Sequence, residues 1–159
     1  MKKHLTLLLA LALLLTLTGC GSVQTSPPAL TVTTESGASV EAMLGTYSWE
    51  YEDGETWAGI SSDSAHPLYC QEWMPSLNVS GETVTVSAEV APDSITVQCW
   101  STDDWNAEDI PDGETLETKG LTFTLKGDGD YVYQVTAKWN SARKWNGTAC
   151  YCFYTEGAG

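Results

Sequence analysis

The sequence predicts an all-β fold, an antiparallel β-sandwich, on three observations. Apolar residues recur with period two in six separate runs after residue 40. Helical periodicity is nearly absent over the same stretch. Glycine, proline and short polar residues fall between the runs, where turns belong. The body that carries the runs, residues 41–157, has the size of one small sandwich domain.

Each element follows from its own pattern. In the first run Tyr47, Trp49 and Tyr51 alternate with Thr46, Ser48 and Glu50. In the second, residues 83–90, Val84, Val86, Ala88 and Val90 share a face. Residues 94–100 then place Ile95, Val97 and Cys99 together, and Leu121, Phe123 and Leu125 alternate with threonines. The longest stripe is Tyr131, Tyr133, Val135, Ala137 and Trp139; the last run, 148–155, sets Ala149, Tyr151 and Phe153 on one side. Successive strand side chains point to opposite faces, so each stripe is an expected core face. Trp49 and Trp139 fall on such stripes and are expected in the core. One helical turn fits residues 103–109, ended by Pro111. The Gly-Asp-Gly-Asp turn at 127–130 leads into the longest strand, which puts Tyr131 near a tyrosine-corner position with its hydroxyl on turn backbone.

The N-terminus reads as a separate unit. Lys2 and Lys3 precede a thirteen-residue stretch, Leu5 to Leu17, that contains nine leucines. It is too short to span a bilayer, which takes about 20 residues, and suits the core of a secretory signal peptide. It ends in Leu17-Thr18-Gly19-Cys20, which resembles the lipobox of bacterial lipoproteins. That resemblance implies removal of residues 1–19 and a diacylglyceryl thioether on Cys20, for which a sulfur nucleophile is required. Residues 20–40, rich in Ser, Thr and Pro, read as a flexible tether able to lift the body several nanometres at roughly 3.3 Å per residue.

The strand pattern also carries a resemblance. The run Asp130 to Trp139 with Gly147 to Phe153, together with Gly45 to Trp49 and Ser64 to Leu68, is similar to Ig-like domains in cell-surface lipoproteins of Firmicutes. Similar modules are appended to membrane sensor proteins of the β-lactam-response type. The resemblance covers residues 41–156 and implies an immunoglobulin-like sandwich. It departs from antibody-type domains, because the strand from Tyr131 to Trp139 has no cysteine for an inter-sheet disulfide. It supplies no catalytic residues.

Charge narrows the partners. The chain has 21 acidic against 7 basic residues, a net −14. Loss of Lys2 and Lys3 with the leader leaves five basic residues and −16. Such a surface disfavours nucleic acid and anionic headgroups. With 42% hydrophobic residues, the chain is also a poor candidate for disorder.

No constellation for catalysis stands out, and no enzyme activity, metal or cofactor is expected. Four cysteines remain besides Cys20: Cys70, Cys99, Cys150 and Cys152. Cys150 and Cys152 lie two apart on one strand, about 6.6 Å, too far for a mutual disulfide. Cys99 shares the face of Ile95 and Val97, which favours a buried thiol. Four free thiols and at least one disulfide both stay open. His66, four residues before Cys70, can be drawn as a Cys–His pair, but a loop histidine hydrogen-bonded to backbone before Pro67 fits better. Asp128 and Asp130 lack the downstream glutamate of a calcium loop and suit a turn.

Five tryptophans fall in loops or at strand ends: Trp57, Trp73, Trp100, Trp105 and Trp145. They either cap the ends of the sandwich or bind a ligand, by stacking on sugars or forming a protein hot spot. The expected protein is a non-enzymatic module lipid-anchored through Cys20 on the extracytoplasmic face of a cell membrane. Its expected partner is a surface protein. The alternatives are binding of cell-wall glycan or other carbohydrate and, less favoured, an extracytoplasmic hydrolase.

Overall fold

The computed structural model describes residues 23–140 and 143–157; the leader and Cys20 lie outside them. The strands are β1 (Leu30–Thr34), β2 (Ser39–Asp53), β3 (Thr56–Ser62), β4 (Ser76–Leu77), β5 (Thr83–Ala88) and β6 (Ser94–Ser101). After them come β7 (Glu114–Leu116), β8 (Thr118–Lys119), β9 (Thr122–Thr124), β10 (Tyr131–Trp139) and β11 (Trp145–Thr155). Two one-turn 3-10 segments, Pro67–Tyr69 and Thr102–Asp104, are the only helical elements among the described residues. The second occupies the start of the turn expected at 103–109. The fold is all-β, with every ladder antiparallel except the short pairing of β4 with β11.

Two layers enclose the core. One has the order β2-β1-β5-β9-β8, the other β7-β6-β10-β11-β2-β3. The long β2 belongs to both. Val40 and Ala42 pair with β1, whereas Met43 to Tyr51 pair with β11. A bulge lies early in the second half: Tyr47 and Leu44, three apart, oppose Ala149 and Tyr151, two apart. The extra residue resets the phase, so buried positions change from the even Val40 and Ala42 to the odd Trp49.

All six runs read from the sequence are strands. The tether is not as expected. Leu30 and Val32 are fully buried, and β1 pairs with both β2 and β5 in the middle of its layer. The Ser/Thr-rich composition there is the solvent face of a strand whose alternate residues are core. Ahead of β1, Pro27 and Pro28 are buried. The Trp49 indole N–H donates to the Gln24 carbonyl at 2.8 Å, and the Tyr151 hydroxyl donates to that of Pro28 at 2.7 Å. The folded body therefore reaches back to residue 23.

The main core joins Leu30, Val32, Val84, Val86 and Phe123 of one layer to Trp49, Tyr133, Trp139, Tyr151 and Phe153 of the other. Trp49 meets Trp139 edge-on at 5.3 Å and stacks on Trp145 at 5.2 Å. Gly147 pairs with Trp49, and a Cβ there would lie 2.5 Å from the indole. The tyrosine that ties the turn is Tyr133, not Tyr131. Its buried hydroxyl accepts the Lys126 backbone N–H at 2.9 Å, while that of Tyr131 donates to the Asp128 carboxylate at 3.1 Å. Both tyrosines share the inward face of β10; Tyr133 is fully buried under the turn, whereas Tyr131, the first residue of the strand, is half-buried beside it.

Candidate functional site

The second layer has an outer face too, and part of it is covered. The crossover from β3 to β4 packs Leu68, Cys70 and Met74 onto Trp100, Val132 and Cys152, a second cluster of buried residues. These sheet residues occupy the even positions of β6, β10 and β11, opposite the main core. His66 shapes the crossover. Its Nδ1 accepts the Leu68 N–H at 3.3 Å, capping the turn Pro67–Tyr69, and its ring meets Trp100 edge-on at 4.9 Å. Burial holds the His66 pKa below its ordinary value.

With Leu68, Cys70 and Met74 turned inward, Tyr69, Gln71, Glu72 and Trp73 face out. They line a cleft of about 250 Å³ with Asn106. Asn106 takes a left-handed backbone, φ 58°, which asparagine tolerates better than most residues, and donates its N–H to the Leu68 carbonyl at 3.0 Å. The Tyr69 hydroxyl donates to the Ala107 carbonyl at 3.0 Å. The two loops are thus tied across the cleft. On its other side Trp73 borders an apolar groove with Pro28, Met43, Leu44 and Pro75. A concavity of about 480 Å³ between β5, β8 and β9 is lined chiefly by threonines and lacks an exposed aromatic.

The five candidate tryptophans separate. Trp73 and Trp57 are 71% and 52% exposed. Trp105 is half-buried against Tyr154. Trp100 and Trp145 stand at strand ends as expected but are buried, which corrects their reading as ligand-binding candidates. Trp100 lies on the covered outer face, its indole N–H donating to the Pro111 carbonyl at 3.1 Å; Trp145 completes the stack on Trp49. The exposed pair does not form one platform. Trp73 lines the groove at Leu44, and Trp57 opposes Glu52, eight residues or roughly 26 Å further along β2.

All four described cysteines are free thiols. Cys99 is in the main core as its stripe requires, and burial pushes it up to about 11. Cys150 and Cys152 lie on the opposite face from Tyr151 and Phe153. Burial raises the Cys152 thiol, with Cys150 and Cys70 near enough to add to the shift. The Cys70 thiol points to the carbonyls of His66 and Ala65, at 3.6 and 3.9 Å, and not to the imidazole. Burial raises it as well, the reverse of what activates a nucleophile. Among the described residues, no three of His, Cys, Asp and Glu gather as a metal site.

Sequence reasoning found Trp73 but missed Tyr69, Gln71, Glu72 and Asn106. The cluster at 69–73 was visible in the sequence, yet nothing local showed which side chains the crossover buries. No protein-family model, curated protein or solved structure matches the chain.

Proposed function

We propose that the protein is a non-enzymatic interaction module, held by lipid on Cys20 at the extracytoplasmic face of a cell membrane. The observation that carries this reading is the N-terminal sequence. A positive start, a leucine-rich stretch of signal-peptide length and Leu17-Thr18-Gly19-Cys20 follow one another without a break. Two acyl chains on one cysteine meet the requirement for stable attachment. The all-β body and the exposed Trp57 and Trp73 suit presentation of a binding surface. The test is Cys20→Ser in the native host. The altered protein should leave the membrane fraction, and an unchanged fraction would refute anchoring.

One observation favours a second reading, glycan binding. Tyr69 and Trp73 flank Gln71, Glu72 and Asn106, an arrangement of apolar ring faces and hydrogen-bonding side chains suited to a sugar. Titration with muropeptides should change tryptophan emission in the unaltered protein and not in Trp73→Phe. No change at millimolar ligand would sink the glycan reading.

A further inference from the structure

We propose that the free edge of β3 is a docking site for an extended, basic strand of a partner protein. This deepens the interaction-module reading and rests on it. β3 pairs with β2 at seven registers, from Ser62↔Tyr47 to Thr56↔Asp53, and with no other described strand. Its outer row of N–H and C=O groups is therefore a template for a further strand.

The other exposed edges are blunted. β7 has three residues, and its Glu114 is engaged by Lys126 at 2.9 Å. β8 has two residues, one of them Lys119, and β4 has two. β3 has seven, Thr-Trp-Ala-Gly-Ile-Ser-Ser, without a charge or a proline. None of the usual protections against edge pairing is present in it.

The side chains beside that edge set the partner's chemistry. Ala58 and Ile60 are half-buried and oppose the inward Tyr51 and Trp49. Trp57, Gly59 and Ser61 take the outer face, next to Glu52, Glu50 and Ser48 on β2. Packing does not demand the glycine: a Cβ at residue 59 would meet only the Trp49 carbonyl, at 3.9 Å. Its effect is to leave the exposed Glu50 uncovered from the edge. A strand added to β3 would run about 10 Å from β2, two strand spacings. A lysine or arginine opposite Gly59 reaches across that gap to the Glu50 carboxylate. Glu50 has no ion pair among the described residues, while Glu52 already holds Lys144 at 3.4 Å. The exposed Trp57 ring, one position along the same face, gives the cation a second contact. Charge also argues against a second copy as the occupant. Two chains of net −14 repel, and edge-to-edge pairing would bring two copies of Glu50 together.

The test uses purified full-length protein in detergent and three capped heptapeptides. The first is Thr-Val-Thr-Lys-Thr-Val-Thr; the second has glutamate in place of lysine; the third has proline in place of both valines. Amide shifts and hydrogen exchange of residues 56–62 are followed by NMR. The lysine peptide should shift these amides and slow their exchange. The glutamate peptide should bind about tenfold more weakly, the loss of one favourable charged contact, and the proline peptide not at all. Gly59→Lys, which fills the gap with the protein's own cation, should weaken the lysine peptide about tenfold, with the fold checked by near-ultraviolet circular dichroism. If Gly59→Lys does not fold, Trp57→Ala decides, with an expected loss of about threefold. Three results would overturn the proposal: no perturbation of β3 at millimolar peptide, equal affinity for lysine and glutamate peptides, or protection of β3 that rises with protein concentration alone. None of these measurements depends on Cys20, so failure here is separate from failure of the anchor.

Discussion

His66 shows what one residue does in this fold. Its Nδ1 must stay unprotonated to accept the Leu68 N–H, and its ring lies edge-on to the buried Trp100. Burial lowers its folded pKa, so between that value and the ordinary 6.5 the unfolded chain binds more protons than the folded one. By linkage its contribution is complete above pH 6.5 and is lost as pH falls below it. The carboxylates act lower. Glu82 is held down by the Ser36 backbone N–H and Asp93 by the Arg143 guanidinium. Their contributions are present above their unfolded pKa values, near 4, and are lost as pH falls further. The melting midpoint should therefore decline already between pH 7 and 5.5, and His66→Asn should flatten that step while leaving the drop below pH 4.5. An unchanged upper step in His66→Asn would show that another group titrates there. The histidine's structural role was legible from the proline that follows it. The pairing of its ring with Trp100 was not, because 34 residues separate them and only the crossover brings them together.

At the scale of the element, β1 carries the main lesson. Strands with one solvent face announced themselves where the buried side alternated with polar residues over six or more positions, as in β5, β6 and β10. β1 spans only five residues, Leu-Thr-Val-Thr-Thr, in a segment whose prolines and serines suggested a tether. β2 was read from residue 45, because the bulge shifts its buried positions from even to odd and hides the continuity with Val40 and Ala42. The short β4, β7 and β8 have too few residues for any period, and β3 carries only Ala58 and Ile60 as a weak stripe. A chain that begins at residue 41, the boundary composition suggested, should not fold. It loses Leu30, Val32 and Val40, each buried, and exposes Val84 and Val86 behind them. Three buried aliphatic side chains are worth roughly 5–9 kcal/mol, a large part of the 5–15 kcal/mol that holds a typical domain. A chain that begins at residue 23 should melt cooperatively. A sharp, cooperative melt of the 41–159 chain would show that β1 is dispensable.

For the whole molecule, the position of residue 23 decides how an anchored body meets its membrane. A twenty-residue tether would have let a chain of net −16 stand several nanometres away from anionic headgroups. With residues 23–40 inside the fold, only Gly21 and Ser22 separate Cys20 from Val23, a reach of about 10 Å at full extension. That length is close to the screening distance of roughly 8–10 Å at physiological salt, so the acidic body and an anionic surface would feel each other. If Cys20 carries the lipid, energy transfer from the protein's tryptophans to dansyl-labelled lipid should be strong in zwitterionic bilayers. It should fall when anionic lipid is added at low salt and recover as salt is raised. Twenty glycine and serine residues inserted between Gly21 and Ser22 restore the long tether by design, so the insertion should lower the transfer at least twofold and remove its dependence on salt. Equal transfer with and without the insertion would mean that the body stands off the bilayer despite its short connection, and the packing of Gln24 to Pro28 against Trp49 and Tyr151 would then have to open at the membrane.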